Sequence, residues 1–176
     1  MATIQFVEGV NLFCGDHDPT DSKHLTIETL KLPVLEEKTT TYLPGGGSMA
    51  VEMSMGVVDA LTATFKLNGF DPQVLSLFGL GTKRRNTYTA YGALFDKRLG
   101  TAVQVKAILE ARLTSIQMDE FKRGDVHGHD YSLKEITRYE LWFDGAEKVA
   151  FDFWTNLWRI DGVDQNADLN RILGVQ

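Results

Sequence analysis

The dipeptide Asp144-Gly145, set between two long runs of alternating residues, constrains this chain more than any other feature. A two-residue hairpin turn needs positive φ at both central positions, which Gly accepts freely and Asp tolerates. The spacing therefore predicts a long strand from Asp130 to Phe143 and a return strand from Ala146 to Trp154. Upstream, Val103, Val105, Ala107, Leu109, Ala111 and Leu113 alternate strictly with Gln104, Lys106, Ile108, Glu110, Arg112 and Thr114. Ala, Leu, Glu and Arg favour helix by intrinsic propensity. Period two sustained over residues 101–118 nevertheless describes a long strand with one wet face. Within Tyr139 to Gln165, a strong strand pair followed by an aromatic, motif-like tail points to a protein whose work is assembly, since large apolar groups need somewhere to dock.

The rest of the chain reads as β structure with one clear helix. Residues 3–13 form a first strand, with Ile4, Phe6, Val10 and Leu12 expected inward. Residues 14–22 are rich in turn formers and read as a loop. His24 to Leu32 is strand-like and is broken at Pro33. Residues 35–57 read as an extended arm: polar and threonine-rich at first, then Pro44-Gly-Gly-Gly-Ser48 as the most flexible point, then Met49, Met53 and Met55. The methionines suit either adaptable contact with a partner or filling of the core. Leu61, Ala63, Phe65 and Leu67 alternate with Thr62, Thr64 and Lys66, a half-buried strand. Asn68-Gly69 turns the chain, and Asp71-Pro72 starts a short helix that carries Val74, Leu75, Leu77 and Phe78, with Gly79 as its stop. A further strand follows over Asn86 to Leu94, residues 119–130 form a charged loop, and the polar tail from Asp161 ends in a short helix closed by Gly174. About seven strands with no βαβ alternation give a mainly β fold, a sandwich or small barrel in a single domain over residues 1–176.

Composition narrows the function. Apolar residues make up 43 % and charged residues 24 %, as in an ordinary globular protein. No apolar run has the length of a membrane span, and the N-terminus lacks the pattern of a signal peptide. The single cysteine, Cys14, allows no internal disulfide, and a reducing cytoplasm is the simplest place of synthesis. The formal net charge of −6 argues against tight duplex binding, which needs a basic face. It suits a surface past which DNA slides, because attraction would hold the DNA in place.

No constellation for catalysis emerges. Pro44-Gly-Gly-Gly-Ser48 lacks the lysine of a phosphate-cradling loop. His127 and His129 form the best metal candidate, against a plain loop reading. Asp16, His17, Asp18, Asp21 and His24 read as turn chemistry, and Asp161, Asp164 and Asp168 lack the pattern of a calcium loop. Lys83-Arg-Arg85 is the one basic cluster, and three charges in an acidic chain make a weak field. Trp142, Trp154 and Trp158 support an alternative function, a carbohydrate-binding β-sandwich, though such residues more often anchor cores or interfaces.

Several segments in order along the chain resemble one family: Asn11-Leu-Phe13, Thr29-Leu-Lys-Leu-Pro33, Phe65-Lys-Leu-Asn-Gly69, Tyr139 to Gly145, Asp161-Gly-Val-Asp-Gln165 and Arg171-Ile-Leu-Gly174. Together they resemble the FII-type major tail tube proteins of contractile-tailed bacteriophages, shared with R-type pyocin tubes. The loop from Asp16 to Lys23 is longer and more acidic than the family's usual turn. The resemblance implies two packed antiparallel sheets forming a barrel-like subunit with one helix, hexameric rings stacked into an inner tube, and neither enzymatic activity nor cofactor. It implies as partners the chain itself, the tail sheath, tape measure, baseplate and tail terminator proteins, with non-specific passage of DNA into the host. The location implied is the virion tail, made in the bacterial cytoplasm. The inter-subunit arm then comprises Thr40, Thr41, Tyr42, Gly45, Gly46, Gly47, Ser48, Met49 and Met53. Gln104, Lys106, Glu110 and Arg112 are the candidate lumen face, where the acidity of the chain favours an electronegative wall.

Overall fold

A computed structural model describes residues 4–15, 17–82, 84–124 and 126–175. Strands β1 (Gln5–Cys14), β2 (Ile27–Lys31), β3 (Glu37–Tyr42), β4 (Val51–Val58) and β5 (Ala63–Asn68) precede two short helical turns, α1 (Pro72–Ser76) and α2 (Gly79–Thr82). Strands β6 (Asn86–Asp96), β7 (Ala102–Met118), β8 (Gly128–Phe143), β9 (Ala146–Asp152), β10 (Leu157–Ile160) and β11 (Val163–Asp164) follow, and α3 (Ala167–Leu173) ends the chain. The molecule is mainly β, as the alternation requires.

The antiparallel β7–β8 ribbon organises everything else. One end of the ribbon sits in the row β1-β6-β7-β8-β9-β10-β11. At the other end, β8 pairs with β5, and β5 pairs with β2. The partner of β8 changes between its halves: residues 128–133 face β5, and residues 138–143 face β9. Between them the register against β7 jumps, since Arg112 opposes Lys134 while Glu110 opposes Arg138. Three residues of β8 thus stand opposite Ala111, and one of them, Glu135, has φ of 52°. A bulge of this kind bends a strand and raises its local twist. It folds the β5–β2 layer over β6 and β7, which brings the Phe65 ring within 6.5 Å of Tyr88. The main sheet stays open, and the second sheet is the separate β3–β4 hairpin.

The core lies between these layers. Phe65 and Leu67 of β5, Tyr88 of β6, Leu109 and Leu113 of β7 and Tyr131 of β8 are all buried, with Val74 of α1 beneath them. The inward sets expected on β5 and β7 hold, although Val103 and Val105 are only partly buried. α1 begins as its sequence dictates: the Asp71 carboxylate accepts from the Gln73 and Val74 amides, both at 3.1 Å, with Pro72 at the first turn.

Four local expectations change. Ile4 and Phe6 are 69 % and 52 % exposed rather than inward, whereas Val10 is partly buried and Leu12 is buried. The cause is a bulge between Val7 and Gly9, because one extra residue exchanges the two faces of a strand. Gly79 does not stop the helix. α1 already ends at Ser76, with Leu77 as its cap, and Gly79 opens α2, where a Cβ would sit 3.1 Å from Arg112 Nε. The arm is no single extended segment but the β3–β4 hairpin. Finally, the described residues form eleven strands where about seven were expected: β3 and β4 lie within the segment read as an arm, and β10 and β11 are only four and two residues long.

Asp144 and Gly145 take φ of 49° and 77°, the pair that a type I′ turn requires. A Cβ at Gly145 would meet nothing within 4 Å, so the objection to a side chain there is purely backbone strain. Gly145→Val should cost about 1–3 kcal/mol. Thermal denaturation should show a melting temperature lower by several degrees, and an unchanged value would refute the assignment.

His129 is 1 % exposed, and neither of its ring nitrogens has a hydrogen-bond partner. His127 meets it edge-on at 4.5 Å, Phe121 stacks on His127, and Phe70 meets His129 at 5.3 Å. Burial, with a smaller push from His127, holds the His129 pKa below the usual histidine value, and Asp119 opposes the shift weakly. The neutral ring is thus the folded form. Its stability contribution is complete above the unfolded value of about 6.5 and is lost as pH falls towards the lower folded value. Melting temperatures should drop between pH 7.5 and 5, and His129→Phe should flatten that drop. An equal slope in both proteins would contradict the argument.

Candidate assembly surfaces

The β3–β4 hairpin is exposed along nearly its whole length. Tyr42 pairs with Val51 and Thr40 with Met53, so Tyr42, Val51 and Met53 share one face, while Thr41, Glu52 and Ser54 occupy the other. Met49, Met53 and Met55 are all exposed, which excludes core filling and leaves an uncovered apolar face. Gly45, Gly46, Gly47 and Ser48 form the tip beyond Pro44, where the Gly47 amide donates to the Pro44 carbonyl at 3.0 Å. The root is fixed instead. Val58 packs against the core, and the Asp59 amide donates to the Glu36 carbonyl at 2.9 Å.

A second surface is the face of β7, β8 and β9 turned away from the core. Gln104, Lys106, Glu110 and Arg112 lie on it, as the alternation placed them. It is a lattice of opposite charges rather than an acidic wall. Arg138 is bonded to Glu140, whose other oxygen accepts from Trp142 Nε1 at 3.2 Å. Arg159 pairs with Glu147 at 2.9 Å. The Lys106 ammonium stands 5.9 Å from the Tyr91 ring centre. Arg112 serves the fold: its Nη1 donates to Glu135 at 3.0 Å and its Nη2 to the Gly79 carbonyl at 2.6 Å. Arg85 bonds the second oxygen of Glu135 at 2.6 Å. These donors hold the Glu135 carboxyl below the usual carboxylate range.

A third surface is the aromatic tail that the sequence marks as needing somewhere to dock, joined by the last helix. Phe153 and Trp154 are exposed in the turn after β9, and Leu169, Ile172 and Leu173 of α3 are exposed nearby in sequence. Asp161 and Gly162, with φ of 48° and 79°, make a second turn of the Asp144-Gly145 type and hold β10 against β11. That repeated Asp-Gly signal could have revealed the extra hairpin.

The chemical candidates dissolve into structure. His17 packs on Phe13 and shares a hydrogen bond with Tyr91, His24 shares one with Ser22, and Asp18 caps a short 3-10 turn. Asp16 and Lys83 lie outside the described residues, and Arg85 is engaged by Glu135 and Trp154. Asp161 pairs with Lys148, Asp164 accepts from the Asn166 amide, and Asp168 pairs with Arg171. Among the described residues, no group of three or more His, Cys, Asp or Glu is placed to hold a metal ion. The three tryptophans form no common platform: Trp142 pairs with Lys106 on the face away from the core, Trp158 packs on Phe151 on the core side, and Trp154 is 66 % exposed in a turn.

What remains is a bent β scaffold carrying an apolar arm, and the chain is similar to several known proteins. The tail tube protein of Escherichia phage P2 is 24 % identical over 150 residues, covering 84 % of this chain and 87 % of that protein. The extended sheath-tube complex of the extracellular contractile injection system PVC contains a chain that superposes with a TM-score of 0.56 at 14 % identity, covering 78 % of this chain and 90 % of that one. Hcp1 from Salmonella typhimurium superposes with a TM-score of 0.52 at 9 % identity, covering 88 % of this chain and 100 % of its own. These relatives are structural proteins and not enzymes. The model of the family described as "Phage tail tube protein FII" matches residues 8–174, and the chain belongs to that family.

Proposed function

We propose that this chain is the repeating subunit of the inner tube of a contractile tail, closing into hexameric rings that stack within a sheath and form a channel for DNA. The observation that carries this reading is the β3–β4 arm, an exposed hairpin with an apolar face that its own fold leaves uncovered. In a chain of the tube family, that face is covered by a neighbouring subunit or by the next ring. Thr40, Thr41, Tyr42, Met49 and Met53 make the contact, and the Gly45–Ser48 tip lets it adapt. The arm is thus part of a single domain over residues 1–176 rather than a unit of its own.

The lumen wall is the charged face of β7 to β9, with Gln104, Lys106 and Glu110 towards the channel. Its cations and carboxylates are largely paired, so we revise the wall from electronegative to nearly balanced, leaving the excess negative charge on other surfaces. A balanced wall gives DNA neither a strong attraction nor a strong barrier. The sheath, baseplate and terminating cap named for similar structures supply partner classes for the ends and outside of the tube. A tape measure protein would occupy the lumen before DNA. The setting is the virion tail, with assembly in the host cytoplasm.

Each copy adds a net charge of −6, so rising salt should favour assembly by screening repulsion. Negative-stain electron microscopy and light scattering should show rings or tubes that increase with salt. Deletion of residues 40–48 should leave a folded subunit, because the root stays anchored at Val58 and Asp59, yet abolish tubes. Tubes of wild-type length from the deletion would remove the arm from the interface.

A further inference from the structure

The end of the β7–β8 ribbon where Met118 pairs with His129 holds two histidines to which tube assembly gives no task. His129 is 1 % exposed, and the His127 ring lies with its centre 4.5 Å from that of His129. Both rings therefore project from one side of the chain, as alternate residues of an extended backbone should. All four ring nitrogens are shut off from solvent, and none has a hydrogen-bond partner among the described residues. Buried polar groups without partners call for an explanation, and two adjacent imidazoles are a common half of a metal site.

The neighbours decide which ion would suit the pair. Met118 stands directly across from His129 on β7, and Leu67 stands across from it on β5, so both share the face of that ring. Directly opposed residues have Cβ atoms about 4.5–5.5 Å apart, within reach of a thioether on its flexible stem. Phe121 stacks on His127 with ring centres 4.5 Å apart, and Phe70 meets His129 at 5.3 Å. The flanking carboxylate, Asp119, is engaged by Lys66 at 3.6 Å. The described residues thus offer two imidazoles and one thioether inside an apolar shell, with no oxygen donor committed to the site.

We propose that His127, His129 and Met118 form a binding site for a soft monovalent metal ion, Cu(I). Thioether sulfur with imidazole nitrogen selects copper, whereas harder divalent ions such as magnesium and calcium need carboxylates, carbonyls and water. The apolar shell favours a single charge too, because the Born cost of burying an ion rises with the square of its charge. Phe121 covers His127 yet is itself 81 % exposed, so its ring can swing aside and admit the ion without disturbing the core. Bound there, the ion takes one lone pair from each imidazole and ties His127 to the ends of β7 and β8. The site lies away from the arm and from the charged face of β7 to β9, and it does not depend on tube formation.

The probe is Cu(I) itself, offered to the purified chain by the chromogenic chelator bicinchoninate in neutral, reducing, oxygen-free buffer. The wild type should withdraw one copper ion per chain. Its melting temperature should rise by several degrees on loading, because an ion that binds only the folded state stabilises that state. His129→Phe and, independently, Met118→Leu should weaken the affinity at least about tenfold, since even outer-shell losses have effects of this size. Met118 is 47 % exposed at the end of its strand, so Met118→Leu keeps the test decisive even where His129→Phe fails to fold. A wild type that takes no copper from the chelator overturns the proposal, as does a folded variant of either kind that binds with wild-type affinity. Burial pushes the Cys14 thiol up to about 12, which leaves the native cysteine a poor competitor. Copper uptake that survives His129→Phe but disappears in Cys14→Ser places the ion on that thiol and overturns the proposal as well.

Discussion

The clamp on Glu135 is the constraint from which the architecture follows. A residue at positive φ in the middle of a long strand is strained unless its surroundings hold it. Here Arg85 and Arg112 each take one carboxylate oxygen, and Arg112 also reaches the Gly79 carbonyl. One charged group therefore ties the β8 bulge, the start of β6 and the α1–α2 connection together. Without the bend, β5 and β9 would compete for one straight edge of β8. With it, each takes half, and the β5–β2 layer folds back to enclose Phe65, Tyr88 and Tyr131.

The bend also explains why the subunit is incomplete alone. Folding a sheet over itself without closing it leaves β1 as an edge strand and leaves an apolar groove between the layers open at one end. Open edges and uncovered apolar faces are hazards for a soluble monomer. The hairpin arm reaches beyond the compact core and adds a further uncovered apolar face. The net charge of −6 opposes indiscriminate association.

The charged face of β7 to β9 shows how little a whole-chain charge says about one surface. Arg138 with Glu140 and Arg159 with Glu147 neutralise one another locally, because opposite charges placed across neighbouring strands find partners before they find solvent ions. Arg112, which alternation puts on the same face, holds the bulge through Glu135.

Local chemistry was legible in the sequence wherever one residue type has one strong reason to be there. Asp144-Gly145 dictates its turn, Asp71-Pro72 its helix start, Gly174 a left-handed helix end, and strict alternation the faces of β5 and β7. The arm was legible as a segment too polar for core. Its pairing was not: Val51, Met53, Met55 and Val57 alternate with Glu52, Ser54 and Gly56 on β4, but Thr39, Thr40 and Thr41 on β3 show no matching period from which a register could be read. Tertiary structure alone decided the rest. Bulges at Glu8 and Glu135 have no local signature, since each arises where two strands must meet partners that lie far away in the chain. They exchanged the face of Phe6 for that of Val7, divided β8 between two layers, and left between those layers a groove that no single strand reveals.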